Sequence, residues 1–133
     1  MLLVCSMVTL TARGRAQILI IANPQLKVET ISRSEIRDIF TGVSTSLKDH
    51  PVVKPALLKS GPAQTDLLTL YVGVSESEFR ANWMKTLFSG KRLLPQSLDS
   101  EADMVEYVEQ HPNAIGYIRS STPHKGVTVL VVR

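Results

Sequence analysis

Short apolar runs alternate with amphipathic segments along this chain, and this pattern predicts strands separated by helices. The first run, Ile18 to Ala22, is uniformly apolar and rich in β-branched residues, which is typical of a strand buried on both faces. Further strands are predicted at residues 52–58, 93–98, 114–118 and 127–132. Strands that alternate with helices favour a three-layer α/β fold with a mainly parallel or mixed sheet of about five strands.

The clearest helix is predicted at residues 33–41, because both of its ends are marked. Ser32 can accept a hydrogen bond from a first-turn amide while Glu35 reaches back to the Ser32 amide, which is a capping box. An apolar stripe follows, formed by Ile36, Ile39 and Phe40. Gly42 stands where a left-handed C-terminal cap is wanted. This helix is therefore short, amphipathic and closed at both ends.

Three more helices are predicted at residues 62–72, 76–89 and 100–110. Pro62 suits the first position of a helix, and Ser75 with Glu78 forms a second capping box. Trp83 lies at helical spacing from other aromatic residues, which favours burial in the core over a stacking platform. The acidic residues of the last helix, Glu101 among them, indicate a solvated helix face.

Four sequence blocks together carry a family resemblance. They are residues 18–24, 31–42, 83–90 and 112–118, and they include Ser-Arg-x-Glu-x-Arg-x-Ile-Phe-x-Gly and Ala-Ile-Gly-Tyr. In this order and at these separations the blocks resemble the phosphate-binding proteins of ABC transporters, in the type 2 periplasmic-binding-protein superfamily. The resemblance spans about residues 18–119. It implies a non-enzymatic binding protein, reduced to a single lobe of a fold that normally closes two lobes around its ligand.

Length and composition agree with one globular domain. The chain has 133 residues, enough for one domain with a proper core and too few for two ordinary domains. It is 44% hydrophobic and 20% charged, which argues against disorder.

The first sixteen residues resemble a secretory leader. Leu2 to Ala12 is a run of apolar and small residues, and cleavage is predicted after Ala16. The domain then covers residues 17–133 and lies in the periplasm. No basic residue precedes the apolar run and two arginines crowd the cleavage point, so a disordered or fraying N-terminal strand is the alternative. The only cysteine, Cys5, falls in this leader, and a cysteine-free mature chain suits an oxidising compartment.

The basic charge also belongs largely to the leader. Removal of residues 1–16 takes away Arg13 and Arg15 and no acidic residue, which lowers the formal net charge from +3 to +1. No run of lysine and arginine interleaved with aromatic residues is present. Nucleic acid is therefore not a predicted partner.

The candidate ligand site is the predicted strand-to-helix junction from Lys59 to Gln64. The Ser60 hydroxyl, the backbone amides of Gly61, Ala63 and Gln64, and the positive charge of Lys59 could together hold an oxyanion such as phosphate or sulfate. A capping turn that binds nothing tightly is the alternative. Asn23, at the end of the first strand, is a weaker candidate whose alternative is a turn-forming role.

This junction departs from the pattern that the resemblance implies. The family has an arginine shortly before Gly-Ser-Gly-Thr, whereas the threonine position here is Ala63 and the arginine position falls on an apolar residue of 56–58. Lys59 replaces that arginine only in part, because an ammonium group lacks the bidentate fork of a guanidinium.

Neither a cofactor, a metal site nor catalysis is predicted. The histidines His50, His111 and His124 are far apart and lack Cys or carboxylate partners at metal-ligand spacing. No nucleophile-elbow motif Gly-x-Ser-x-Gly exists.

The leading prediction is a periplasmic solute-binding-type protein related to phosphate ABC transport. Its partners would be phosphate or a similar oxyanion, with transporter membrane subunits or another envelope protein. The alternative is an accessory or sensor interaction module that keeps the fold without tight ligand binding. Homodimerisation is an open alternative in both cases.

Overall fold

The computed structural model describes residues 17–90 and 95–133. In this part of the chain the strands are β1 (Ile18–Ala22), β2 (Thr30–Ile31), β3 (Lys54–Leu58), β4 (Gln96–Leu98), β5 (Ala114–Arg119) and β6 (Thr128–Val132). The α-helices are α1 (Arg33–Phe40), α2 (Pro62–Leu67), α3 (Glu76–Phe88) and α4 (Glu101–Gln110). A 3₁₀ turn at Pro24–Leu26 follows β1, and a π-helical turn at Leu68–Val72 continues α2.

The predicted elements are recovered with small shifts of their ends. The strand predicted at 52–58 begins only at Lys54, and that predicted at 93–98 is described from residue 96. Residues 93 and 94, like the predicted leader, lie outside the described residues. The helix predicted at 62–72 is present as α2 plus the π-helical turn. The two-residue β2 is a sixth strand that was not predicted. A segment this short has no periodicity of apolar and polar residues to read.

The six strands form one mixed sheet in the order β2-β6-β1-β5-β3-β4. Strand β3 is parallel to both β4 and β5, whereas β1 is antiparallel to β5 and β6. The carboxyl ends of β3, β4 and β5 therefore meet at one edge of the sheet. In open α/β sheets this is the edge where ligands usually bind.

Helices cover both faces of the sheet. Gly116 and Tyr117 are neighbours in β5 and therefore point to opposite faces. A Cβ on Gly116 would lie only 3.2 Å from Cγ of Met104 in α4, whereas the Tyr117 ring packs edge-on against Phe40 of α1, with centroids 5.4 Å apart. The three-layer prediction is confirmed.

The two predicted capping boxes form to different extents. At α1, the Glu35 amide donates to Ser32 Oγ over 3.1 Å and the Ser32 amide donates to Glu35 Oε1 over 2.9 Å. At α3, the Glu78 amide donates to Ser75 Oγ over 3.2 Å, and no return bond from the Glu78 side chain is seen among the described residues. Glu78 is exposed, so water competes for its carboxylate. Gly42 has φ 79°, the predicted left-handed conformation.

None of the helices within residues 17–90 and 95–133 combines the length and apolar character needed to cross a bilayer.

Trp83 is buried, as predicted from its spacing.

Candidate functional site

Two loops lie side by side at the carboxyl edge of the sheet. The β3–α2 loop and the β4–α4 loop are joined by the Lys59 amide, which donates to the Leu98 carbonyl over 3.0 Å. Lys59 Nζ also pairs with Asp99 Oδ1 at 2.8 Å. A cavity of about 280 Å³ opens between the loops and is lined in part by Ser60, Gly61, Ala63, Asp99 and Glu101. Most of the predicted junction is thus gathered around one cavity.

The N-terminus of α2 differs from those of the other helices. Helices α1, α3 and α4 are each capped by a serine side chain, from Ser32, Ser75 and Ser100. Helix α2 begins after Gly61, which has φ 107° and makes no side-chain cap, and Pro62 has no amide proton to offer. The first-turn amides of Ala63 and Gln64 therefore lack the side-chain acceptor that the other helices have. An oxyanion in the cavity could accept from them.

The charge of Lys59 is already compensated within the site. Its side chain is 59% exposed and its partner Asp99 is 75% exposed. Exposed pairs of this kind contribute little stability, roughly 0 to 1 kcal/mol. The nearby carboxylate nevertheless offsets the attraction that Lys59 would exert on an anion.

Ser60 and Gly61 are exposed at the loop, whereas Ala63 is fully buried. Ala63 can therefore contribute only its backbone amide. Position 63 is the one at which the family resemblance implies a threonine, so the hydroxyl expected there is absent and methyl packing takes its place.

The Gln64 side chain is buried and serves the core. Its Oε1 accepts from the Tyr117 hydroxyl, and that hydroxyl accepts from the Leu58 amide over 2.8 Å. Burial raises the pKa of the Tyr117 phenol, so it stays protonated and keeps its hydrogen to donate. At the α2 loop, Gln64 therefore offers its backbone amide.

Asn23 is not brought together with the other candidates. Because β1 is antiparallel to β5, its carboxyl end lies at the opposite edge of the sheet. Asn23 Nδ2 donates to the carbonyls of Val108 and Glu109 over 2.9 and 2.8 Å, and Oδ1 accepts from the Gln25 amide over 2.9 Å. Asn23 thus forms a turn and caps the last carbonyls of α4, so it is removed from the candidate site.

Glu101 has a role that the sequence did not indicate. Its Oε1 accepts from the Arg119 amide over 2.6 Å and from the Thr122 hydroxyl over 2.8 Å, and Oε2 accepts from Arg119 Nε over 2.9 Å. Burial acts to raise the pKa of Glu101, but these hydrogen bonds and the arginine charge outweigh it and hold the pKa below its usual value. Glu101 is therefore tied to the end of β5 and does not belong to a solvated helix face.

Charges at this edge are balanced in pairs. Lys59 faces Asp99, and Arg119 faces Glu101. An anion in the cavity would gain hydrogen bonds from amides and Ser60, but no uncompensated positive charge from these pairs. Asp99 and Arg119 were missed in the sequence. The available signal was a charged residue at the carboxyl end of each of two strands, since Asp99 follows β4 and Arg119 is the last residue of β5.

No metal-binding site is found in the part of the chain that the structure describes. No cluster of three or more histidine, cysteine, aspartate or glutamate side chains there is arranged to hold an ion.

Comparison with known proteins gives matches of structure only. No family model matches the chain, and no curated protein matches it significantly by sequence. A protein described as a phosphate ABC transporter substrate-binding protein from Clostridium perfringens, solved with bound phosphate, superposes with a TM-score of 0.66 at 21% identity; the match covers 86% of this chain and 44% of that one.

Two further solved structures match to a similar extent. An ABC-type phosphate transport receptor from Vibrio cholerae gives a TM-score of 0.65 at 15% identity, covering 86% of this chain and 45% of that one. PstS from Borrelia burgdorferi gives 0.64 at 20% identity, covering 87% and 47%. The chain therefore spans less than half the length of these proteins. Its fold is that of a single lobe of phosphate ABC transporter substrate-binding proteins, as the sequence resemblance predicted.

Proposed function

We propose that this chain is a periplasmic solute-binding-type protein related to phosphate ABC transport, and that it contacts phosphate or a similar oxyanion at the start of α2. The observation that carries the proposal is the N-terminus of α2, which lacks a side-chain cap and opens into a cavity at the carboxyl edge of the sheet. The shared fold with a protein solved with phosphate supports the choice of ligand. The proposed contacts are the Ser60 hydroxyl and the amides of Gly61, Ala63 and Gln64, with Lys59 alongside.

Binding by the isolated chain should be weak. A helix terminus attracts an anion by about 0.3 to 1 kcal/mol when exposed and up to about 2 kcal/mol when partly buried. The balanced pairs Lys59–Asp99 and Arg119–Glu101 add no net charge. The attraction of the helix terminus together with a few hydrogen bonds gives an expected dissociation constant for phosphate on the order of 1 mM. Dimerisation, or docking on transporter membrane subunits or another envelope protein, would supply the missing half of a closed site.

Calorimetric titration with phosphate, sulfate and nitrate at low and high salt tests this proposal. The wild type should bind phosphate with millimolar affinity, more weakly at high salt, and Ser60→Ala should weaken the binding. Ser46→Ala is the matched control, since Ser46 is an exposed serine in the loop before β3. Unchanged binding by Ser60→Ala would refute the site, and submicromolar binding by a monomer would refute the argument for half a site.

A second function is an accessory or sensor module that keeps the fold without a working anion site. The buried Ala63 and the Lys59–Asp99 pair favour it, because each removes a group that would hold an anion. If the protein is folded, and none of the three oxyanions gives a heat of binding or stabilises it against unfolding, this second function is favoured over the first.

Export to the periplasm is part of the proposal and has its own test. The mature chain should begin near Gln17, which mass spectrometry of a periplasmic extract would measure. Recovery of intact Met1 in a cytoplasmic fraction would contradict it.

A further inference from the structure

A second cavity, of about 440 Å³, lies between the β3–β4 side of the sheet and α3. Leu57 and Leu58 contribute from β3, Phe79 and Trp83 from α3, and Ser97 from β4. Its volume is within the range of small-molecule sites, roughly 300 to 1,000 Å³. Half of the lining residues are apolar and two of these carry aromatic rings, so an apolar group of ring size fits this part of the wall.

One buried polar group faces this cavity with spare donors. Gln64 is 5% exposed and borders the cavity. Its Oε1 is occupied by the Tyr117 hydroxyl, which needs an acceptor because it already accepts from the Leu58 amide. This arrangement fixes the orientation of the amide. Nε2 has no protein acceptor among residues 17–90 and 95–133, so its two protons are left for a ligand in the cavity.

An acceptor lies on the same cavity wall. Glu76, the first residue of α3, borders the cavity, and the Thr65 hydroxyl lies 3.4 Å from its Oε1. Arg80, one turn further along α3, is exposed at the same cavity, and Lys59 is already paired with Asp99. The cavity thus presents a neutral donor from Gln64 and an anionic acceptor from Glu76.

We propose that this cavity binds a small molecule with an apolar body and a neutral amide head, whose carbonyl accepts from Gln64 Nε2 and whose N–H donates to Glu76. A carboxylate head fits less well, because it loses hydration and meets the Glu76 charge, which the exposed Arg80 at the same cavity offsets only in part. An ammonium head suits Glu76 but leaves Gln64 without an acceptor. This cavity borders the proposed oxyanion contacts, because Lys59 and Gln64 line it, but it uses the Gln64 side chain and not its backbone amide, and it does not depend on oxyanion binding.

Trp83 allows a direct measurement, because it is the only tryptophan of the chain and forms part of the cavity wall. The probes are phenylacetamide, phenylacetate and phenethylamine, which share a ring and differ in the head group. Phenylacetamide should produce a saturable change in Trp83 emission. Phenylacetate and phenethylamine should bind about tenfold more weakly, the equivalent of one hydrogen bond.

Two variants test the location. Ser97→Phe adds a ring at an exposed residue of β4 that lines the cavity and leaves Gln64 and Tyr117 unsubstituted, and it should abolish binding. Gln64→Leu keeps the volume and removes the donors, and it should weaken phenylacetamide binding about tenfold. Circular dichroism checks that each variant is folded, and Ser46→Phe is the control for an added surface ring.

The outcomes separate clearly. Binding of phenylacetamide that Ser97→Phe abolishes and Ser46→Phe preserves supports the site. Equal or tighter binding of phenylacetate overturns the assignment of the head group. Absence of a saturable change with all three probes, or unchanged binding in Ser97→Phe, overturns the cavity as a ligand site. Phosphate titrations of Ser97→Phe should match the wild type, since the oxyanion contacts are untouched.

Discussion

The indole nitrogen of Trp83 donates a hydrogen bond of 3.0 Å to the carbonyl oxygen of Phe40, the last residue of α1. The indole ring also lies against Gly42, just beyond the end of that helix. Apart from Trp83, only Phe79 among the residues of α3 is buried. These two side chains therefore fasten α3 to the domain, and α3 forms one wall of the larger cavity.

Replacing Trp83 by alanine should cost about 3 to 5 kcal/mol in the free energy of unfolding, because a large buried ring is lost and a cavity remains. Chemical denaturation measures this loss. Trp83→Phe keeps a ring and loses the bond to Phe40, so it should cost less, about 1 to 3 kcal/mol. A loss below about 1 kcal/mol for Trp83→Ala would mean that the side chain is not packed as described.

Gly42→Ala should be more destabilising than Gly73→Ala, although the two glycines have nearly the same φ, 79° and 78°. The left-handed conformation alone costs roughly 1 to 2 kcal/mol for alanine. A Cβ at Gly42 would also lie 2.9 Å from Cη2 of Trp83. Within residues 17–90 and 95–133, apart from its own chain neighbours, no atom lies within 4 Å of a Cβ at Gly73. Overpacking should add about 1 to 3 kcal/mol at Gly42.

Gly73→Ala serves as the matched control for the cost of φ in this comparison. Equal losses for the two variants in chemical denaturation would contradict the contact between Gly42 and Trp83.

Glu101 should make the domain sensitive to acid. Its pKa in the folded protein lies below the usual value of 4.5. Its contribution is therefore complete above that value and is lost as pH falls through the folded pKa. Unfolding free energies measured at decreasing pH should fall more steeply for the wild type than for Glu101→Gln.

Glu106→Gln, an exposed carboxylate on the same helix, is the control and should follow the wild type. Parallel pH profiles for wild type and Glu101→Gln would show that the bonds to Arg119 and Thr122 do not stabilise the ionised form.

Asn23→Ala should destabilise the domain and leave oxyanion binding unchanged. The variant removes two bonds to the carbonyls of Val108 and Glu109 and one from the Gln25 amide, which should cost about 1 to 3 kcal/mol. Denaturation and phosphate titration of the same sample measure both effects. A specific loss of phosphate binding in a fully stable variant would return Asn23 to the ligand site.

Local sequence chemistry identified most of the elements. Ser32 and Glu35 defined the start of α1, and Gly42 defined its end, because capping depends on residues only a few positions apart. Strand β2 was not predicted because two residues show no periodicity. For the Ser75–Glu78 capping box only the bond to Ser75 forms, because the local sequence does not show how exposed the start of α3 is to solvent.

The site was less accessible to sequence reasoning, because it depends on which strand ends share an edge. Lys59 and Ser60 were found from the strand-to-helix junction, whereas the Asp99 partner of Lys59 is forty residues further along the chain. Asn23, for which the sequence left a turn-forming role open, lies away from this loop because β1 runs antiparallel to β5 and its carboxyl end is at the opposite edge.

The sequence by itself determined the α/β class, the helix caps and the buried strands, since these follow from propensity and periodicity over short stretches. Only the tertiary structure decided which distant residues the polar side chains contact. The Gln64 backbone amide could be named from the local junction, but only the fold placed the Gln64 side-chain oxygen on Tyr117. Glu101 looked solvated until β5 brought Arg119 against it. Hydrogen-bond partners far apart in sequence are chosen by strand order and packing, which no local pattern encodes.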